Sequence, residues 1–150
     1  MLECKPARED QYDKFFRFIE NEDPGYIENA MRVMKITWEE LRYLFRTVGE
    51  VWGIYFDDEL AGFYWIEKRQ NVLHLHALVL KKEFRRKGIG TWVLNMLEDK
   101  YRESIDAIEL GVHKSNEVGI SLYRSLGYRT VKVIEDLGFW IMKKQLTNRV

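Results

Sequence analysis

Residues 78–91 read Leu78-Val79-Leu80-Lys81-Lys82-Glu83-Phe84-Arg85-Arg86-Lys87-Gly88-Ile89-Gly90-Thr91. An apolar strand pattern precedes the basic part of this segment, and an apolar helical pattern follows it. Glycine lets a backbone fold tightly around a ligand, and the first turn of a helix presents N–H groups that can bind an anion. Five of the seven residues from Lys81 to Lys87 are basic and one is acidic. The segment therefore predicts a strand-turn-helix unit with an anion site large enough for a diphosphate.

Two widespread phosphate-binding patterns are absent from this sequence. A P-loop requires Gly-x-x-x-x-Gly-Lys-Ser/Thr, and the dinucleotide-binding fold requires Gly-x-Gly-x-x-Gly. The chain instead contains Arg85-x-x-Gly88-x-Gly90. Taken alone, this pattern is also explained by a solvated basic turn whose glycines serve packing.

A second segment predicts a helix with a polar cap and an aromatic residue on one face. It reads Asn116-Glu117-Val118-Gly119-Ile120-Ser121-Leu122-Tyr123-Arg124-Ser125-Leu126-Gly127-Tyr128. Asn116 is a favourable N-cap after a predicted strand at 107–112. Tyr123 follows two helical turns later, so both side chains can reach one ligand. A plain cap and a core aromatic would explain the same two residues.

Together the two segments resemble the GNAT acetyltransferase superfamily. The first matches its Gln/Arg-x-x-Gly-x-Gly/Ala motif, and the second resembles its Asn-x-x-Ala-x-x-Leu-Tyr-x-x-x-Gly-Phe motif. Gly119 stands where the family usually has Ala, and Tyr128 where it usually has Phe. The motifs occur in the family's order. The resemblance covers residues 50–143 by order of elements and residues 1–49 only as amphipathic helices.

The resemblance implies an α/β fold with a central mixed, mostly antiparallel sheet of about six to seven strands and about four flanking helices. It implies one domain over residues 1–150, with residues 1–49 as a helical acceptor-side region and residues 50–143 as the sheet and acetyl-coenzyme A core. The implied reaction is direct transfer of an acetyl group from acetyl-coenzyme A to a primary amine. The amine would belong to a polyamine-like or aminoglycoside-like molecule, or to a peptide or protein.

The resemblance also implies roles for particular residues. Backbone groups of Leu78, Val79 and Leu80 would bind the pantetheine arm of the coenzyme. Tyr123 stands at the position of the general acid that protonates the coenzyme sulfur, and no metal ion is expected. The remaining coenzyme contacts would come from Arg85, Arg86, Lys87, Gly88, Ile89, Gly90, Thr91 and Asn116, with Tyr123 among them.

The general base is harder to assign. Many relatives carry a glutamate on the strand before the loop, where this chain has His74 and His76, and others carry one at the position of Gly111. A histidine with an ordinary pKa near 6.5 accepts a proton at neutral pH, and these two share one strand face. Both are also explained as structural polar groups. Glu109 is a weaker candidate, and the reaction can proceed without a dedicated base.

Composition limits the alternatives. The 150 residues include 24 basic and 24 acidic side chains, a balance that argues against a general nucleic-acid binder. A nucleic-acid module using the basic turn with Phe84 and Trp92 is one alternative, although both aromatics are expected to pack inward. A noncatalytic acyl-coenzyme A binding module is the other, because the strand glutamate is missing.

Further features bear on compartment and partners. Cys4 is the single cysteine, the first residues lack an apolar signal segment, and no apolar run approaches the ~20 residues of a membrane helix. We therefore expect a cytoplasmic protein that binds neither membrane nor nucleic acid. The sequence itself does not indicate the oligomeric state, and a homodimer is a candidate only because relatives are often dimers. Residues 1–30 hold eight acidic and four basic residues. This excess would attract a cationic amine, although solvated helix faces explain it equally well.

Hydrophobic periodicity predicts the other elements. Thr37 and Glu40 form a predicted capping box at the start of a helix. The strands at 51–56, 60–66 and 72–80 have short polar connections and are expected to form an antiparallel meander. The remaining predictions are helices at 8–19, 27–34, 93–101 and 120–126, and strands at 107–112, 128–134 and 139–142.

Overall fold

A computed structural model of the protein describes residues 1–146, which form seven β-strands and five α-helices with three short 3₁₀ turns. The predicted α/β class is confirmed. The strands are β1 (Leu2–Pro6), β2 (Glu50–Phe56), β3 (Glu59–Arg69), β4 (Val72–Leu80), β5 (Ala107–His113), β6 (Arg129–Ile134) and β7 (Phe139–Gln145). The helices are α1 (Tyr12–Glu22), α2 (Pro24–Met34), α3 (Trp38–Thr47), α4 (Ile89–Tyr101) and α5 (Glu117–Ser125).

The strands form one mixed sheet in the order β1-β2-β3-β4-β5-β7-β6. Antiparallel pairs join β1 to β2, β2 to β3, β5 to β7 and β6 to β7. β4 and β5 are parallel, which requires a crossover connection, and α4 supplies it. The predicted mixed, mostly antiparallel sheet is confirmed. Strand β1 was not predicted, because the first residues are too few and too polar to show a strand pattern.

Contacts within the chain cluster into two compact units. The first comprises Met1–Ile66 with Ala77–Ile89, and its core joins α1 and α3 to β3. The Phe15 ring stacks on Phe63 with centroids 5.2 Å apart, and Phe45 meets Phe63 and Trp65 edge-on at 5.5 and 5.2 Å. Each of these buried aromatic side chains contributes roughly 2–3 kcal/mol of hydrophobic stabilisation.

The second unit comprises Glu67–His76 and the chain from Gly90 onward. Helix α4 buries Val93, Leu94 and Leu97 on one face. Next to this face, Glu98 is only 8% exposed, and it accepts a hydrogen bond of 2.8 Å from Lys144 Nζ of β7. This ion pair ties α4 to the sheet while satisfying a buried carboxylate.

Helix ends follow the predicted capping chemistry. Thr37 Oγ1 accepts from the Glu40 N–H at 3.2 Å, and Glu40 Oε1 accepts from the Thr37 N–H at 3.0 Å, which completes the capping box before α3. Gly127, just after α5, has a φ of +99°, a conformation that glycine adopts without strain. No helix within residues 1–146 is long and apolar enough to span a bilayer.

Candidate active site

The turn between β4 and α4 forms a candidate anion cradle. Its backbone is left-handed at Arg86, with φ 61°, and at Gly88, with φ 77°. Within residues 1–146, the N–H groups of Arg86, Lys87 and Gly88 donate to no backbone carbonyl, and the first N–H groups of α4 have no acceptor within the helix. An ideal Cβ on Gly88 would meet no heavy atom within 4 Å. This turn therefore has the backbone donors and the open space that a diphosphate needs.

The basic side chains of the turn divide into two groups. Arg85 is engaged by the protein itself: its Nη2 donates to Glu22 Oε1 at 3.0 Å and to the Glu22 carbonyl at 3.1 Å, and its Nε donates to the Leu80 carbonyl at 3.2 Å. Arg86 and Lys87 are exposed. Arg85 thus helps to hold the shape of the turn, while Arg86 and Lys87 remain exposed on it.

The end of β4 packs tightly against β3. The Lys81 N–H donates to the Ala61 carbonyl at 2.8 Å. An ideal Cβ on Gly62 would lie 2.1 Å from the Val79 carbonyl oxygen, so only glycine allows the two backbones to approach this closely. Val79 is buried, whereas Leu78 and Leu80 are half-buried. Gly62 therefore fixes the backbone of the strand segment expected to bind pantetheine.

His74 and His76 lie on one face of β4, as the strand period predicted. Their rings are nearly parallel, with centroids 6.3 Å apart and planes 16° apart. Each histidine faces a carboxylate of a neighbouring strand: His76 Nε2 is 2.8 Å from Glu67 Oε1 of β3, and His74 Nδ1 is 3.6 Å from Glu109 Oε1 of β5. Arg69 pairs with the same Glu67 oxygen at 3.1 Å.

Burial lowers the pKa of both histidines. It lowers the pKa of His76 below the usual 6.5, and the hydrogen bond to Glu67 opposes this effect only in part. Burial and the charge of Arg69 likewise lower the pKa of His74, although the negative charge of Glu109 raises it. For Glu67, burial raises the pKa, but hydrogen bonds with His76 and Arg69 outweigh it and leave the pKa below its ordinary value. Both imidazoles can therefore accept a proton at pH 7.

The other position at which relatives carry a glutamate is covered by the ring of Phe139. An ideal Cβ on Gly111 would lie 2.4 Å from two atoms of the Phe139 ring. A glutamate there would have to displace this ring from the β5–β7 pair. The carboxylates near the histidines come instead from Glu67 and Glu109.

Helix α5 carries the second motif. Asn116 caps it, because its Oδ1 accepts from the Gly119 N–H at 3.0 Å. An ideal Cβ on Gly119 would lie 2.6 Å from Asn116 Nδ2, so an alanine at this position would require the amide of Asn116 to shift. Tyr123 is half-buried, and its ring lies 5.9 Å from that of Tyr128. Burial raises the pKa of Tyr128, whose hydroxyl has no hydrogen-bond partner within residues 1–146.

Within the second unit, the start of α4 contacts α5. An ideal Cβ on Gly90 would lie 3.4 Å from Leu122 Cδ2, so this part of α4 lies against the α5 residue next to Tyr123. The predicted site residues divide between the two units. The first unit holds Leu78, Val79, Leu80, Arg85, Arg86, Lys87, Gly88 and Ile89, and the second holds His74, His76, Gly90, Thr91, Asn116 and Tyr123.

The sequence reasoning missed two carboxylates and misplaced one aromatic residue. Only two residues connect β3 to β4, and such a short connection fixes how the two strands pair. It could have indicated that Glu67 of β3 lies opposite the histidines of β4. No sequence signal places Glu22 at the turn, because 63 residues separate it from Arg85. Phe84 is buried as predicted, but the prediction that Trp92 packs inward was wrong, since it is 36% exposed.

No group of three or more His, Cys, Asp or Glu side chains within residues 1–146 is arranged to hold a metal ion.

A protein of Bacillus subtilis (strain 168) named as the uncharacterized N-acetyltransferase YvbK is 31% identical over 90 residues, which span 59% of this chain and 58% of that protein. The match therefore spans less than two thirds of the length of the Bacillus protein.

Solved structures of similar fold cover almost the whole chain. The PaiA N-acetyltransferase of Thermoplasma acidophilum, in complex with coenzyme A, has a TM-score of 0.70 at 20% identity and covers 97% of this chain and 99% of its own. The ribosomal-protein-S18-alanine N-acetyltransferase of Escherichia coli has a TM-score of 0.75 at 16% identity and covers 100% of this chain and 97% of its own. The model of the acetyltransferase (GNAT) family matches residues 8–128. The chain belongs to the GNAT acetyltransferase family.

Proposed function

We propose that the protein is an acetyl-coenzyme A-dependent N-acetyltransferase that transfers the acetyl group directly to a primary amine. The observation that carries this proposal is the turn between β4 and α4, with left-handed backbone at Arg86 and Gly88 and donors that have no backbone acceptor. Family membership and the names of the relatives support the same reaction class. The coenzyme A bound in the Thermoplasma structure supports the choice of cosubstrate.

Each part of the coenzyme has a proposed partner. N–H groups from Arg86 to Thr91 bind the pyrophosphate, aided by the exposed side chains of Arg86 and Lys87. Backbone groups of Leu78, Val79 and Leu80 bind the pantetheine arm. Asn116 is a further proposed contact through the end of its amide that does not cap α5.

The reaction needs one proton removed from the amine and one given to sulfur. When bound, acetyl-coenzyme A supplies a thioester whose carbonyl carbon an amine attacks, so a C–N bond forms and the C–S bond breaks. His76 or His74 takes the proton that the attacking nitrogen loses, directly or through water. Tyr123 gives its phenolic proton to the departing sulfur. Of the two histidines, we favour His76, because Glu67 holds its ring at 2.8 Å.

The acceptor is proposed only as a primary amine, on a small molecule or on a peptide or protein. The acidic excess of residues 1–30 is largely neutralised within the first unit. Arg46 pairs with Glu9 and Asp13, Arg42 also pairs with Asp13, and Arg85 pairs with Glu22. These ion pairs weaken the electrostatic argument for a polycationic acceptor. An amine panel should therefore include peptides with free amino termini beside polyamines and aminoglycosides.

Calorimetric titration with acetyl-coenzyme A tests the cofactor site. The parent protein should bind, and Gly88→Trp should not, because the indole fills the cradle. Gly88→Asn is the matched control, since asparagine tolerates the left-handed backbone and adds little bulk. If the parent, shown to be folded, does not bind, the proposal is wrong. If the parent, Gly88→Trp and Gly88→Asn all bind acetyl-coenzyme A, the coenzyme binds outside this turn.

Turnover separates an enzyme from a noncatalytic acyl-coenzyme A binding module. Release of free coenzyme A thiol in the presence of the amine panel would demonstrate transfer. Tyr123→Phe should bind acetyl-coenzyme A normally while kcat falls by about 10²-fold, as expected for loss of a general acid. Binding without thiol release across the panel would favour the noncatalytic alternative, for which the absence of a carboxylate on β4 is the motivating observation.

We also propose a cytoplasmic location and a homodimer. The single cysteine, Cys4, suits a reducing compartment. Light scattering coupled to size-exclusion chromatography measures the oligomeric state directly. A mass of 18.1 kDa in solution would contradict the homodimer.

A further inference from the structure

Glu22, the last residue of α1, lies against the turn that forms the anion cradle. Its Oε1 accepts from the Lys82 N–H at 3.0 Å and from Arg85 Nη2 at 3.0 Å, while its carbonyl accepts from the same guanidinium at 3.1 Å. The Glu22 side chain is 24% exposed, so it is partly withdrawn from water. One carboxylate therefore joins the end of a helix to both the backbone and a side chain of the turn.

A second contact joins the same two segments. Lys81 Nζ lies 5.2 Å from the centroid of the Phe18 ring. Phe18 precedes Glu22 by one helical turn in α1. Arg85 in turn donates to the Leu80 carbonyl, the last residue of β4. The end of α1, the turn and the end of β4 thus form one hydrogen-bonded assembly within the first unit.

The sign of the Glu22 charge is unexpected for this location. A carboxylate next to a diphosphate site repels the ligand and, by charge alone, lowers its affinity. Its contacts suggest a different role, because they hold the turn in the conformation whose N–H groups remain available to the ligand. A site organised before binding loses less conformational entropy when the ligand arrives.

We propose that Glu22 is a positioning residue that holds the coenzyme-binding turn, through Arg85 and the Lys82 N–H, in the conformation that receives the coenzyme. This inference rests on the proposed function, because it takes the turn as the coenzyme A site. Arg85 remains paired with Glu22 when coenzyme A binds, and the phosphates are held by the backbone, Arg86 and Lys87.

The Kd for coenzyme A tests the proposal, because the two roles of Glu22 predict changes of Kd in opposite directions. If Glu22 acts by position, Glu22→Ala raises the Kd for coenzyme A by about tenfold, as expected for loss of charge-assisted hydrogen bonds. Glu22→Gln keeps an oxygen acceptor and should show a smaller rise. Glu20→Ala is the matched control, since it removes the same charge from an exposed position in α1 and should leave Kd unchanged. Tighter binding by Glu22→Ala or Glu22→Gln would show that Arg85 leaves Glu22 for the phosphates, and would overturn the proposal.

Hydrogen exchange supplies a second readout at the turn itself. Without ligand, the hydrogen-bonded amides of Lys82, Phe84 and Arg85 should exchange faster in Glu22→Ala than in the parent and in Glu20→Ala. Equal exchange at these amides in all three proteins would overturn the positioning role while leaving the proposed function intact. Failure of the folded parent to bind coenzyme A would instead overturn the proposed function, and the positioning role with it. Circular dichroism before each titration verifies that the variants are folded.

Discussion

Gly62→Ala is expected to disturb both the stability and the activity of the protein. Gly62 lies in β3 opposite the end of β4, and an ideal Cβ there would stand 2.1 Å from the Val79 carbonyl oxygen and 2.9 Å from Leu80 Cα. Ordinary van der Waals contacts begin near 3.4 Å. The two backbones would have to separate by about 1 Å, because neither contacting atom belongs to a flexible side chain.

The magnitude follows from two opposing effects. Overpacking of this kind costs about 1–3 kcal/mol and sometimes more. Replacing a strand glycine by alanine regains about 0.5–1 kcal/mol through the lower entropy of the unfolded chain. A net loss of about 1 kcal/mol lowers the melting temperature of a 150-residue protein by roughly 2–4 °C. A displacement of about 1 Å in the strand proposed to position the thioester is expected to lower kcat/KM by about 10²-fold.

Thermal unfolding and steady-state kinetics check these two numbers on the same preparation. Gly25→Ala is the matched control, because its added methyl group finds only Asn29 Nδ2, at 3.9 Å, and alanine favours helix α2. The control should melt at or slightly above the parent temperature and keep its activity. A Gly62→Ala protein that melts with the parent and retains its kcat/KM would refute the close-approach argument.

Four further expectations concern three separate regions. Because the pKa values of His76 and His74 are lowered, kcat/KM should stay high until the pH falls below 6.5; an acidic limb centred above 6.5 would argue against a histidine base. Stability should also decline below pH 6.5, since the unfolded chain takes up protons there first; denaturant titrations measure this. Gly111→Glu should lose about 1–3 kcal/mol by displacing Phe139, without raising kcat. Thr37→Ala should lose about 1 kcal/mol at unchanged coenzyme affinity, and an unaltered melting temperature would contradict the capping box.

Much of the fold could be predicted because local patterns match the elements. The Thr37 box, the Asn116 cap and Gly127 mark helix ends through contacts within a few residues, which a sequence displays directly. Strand β1 could not be predicted this way. It pairs with β2 about 50 residues away, with Cys4 opposite Ile54, and only that pairing makes its five residues a strand.

The candidate site shows the same division. The cradle at Arg86 to Gly90 is a local motif, and it could be read from the sequence. Two carboxylate contacts of the candidate site are not local, because Glu67 reaches His76 across a strand pair and Glu22 reaches Arg85 from a separate helix. Such partners require the tertiary fold. Sequence patterns in this chain therefore indicate which coenzyme part each motif would bind, while the carboxylates that contact His76 and hold the turn are placed there only when the strands and helices pack.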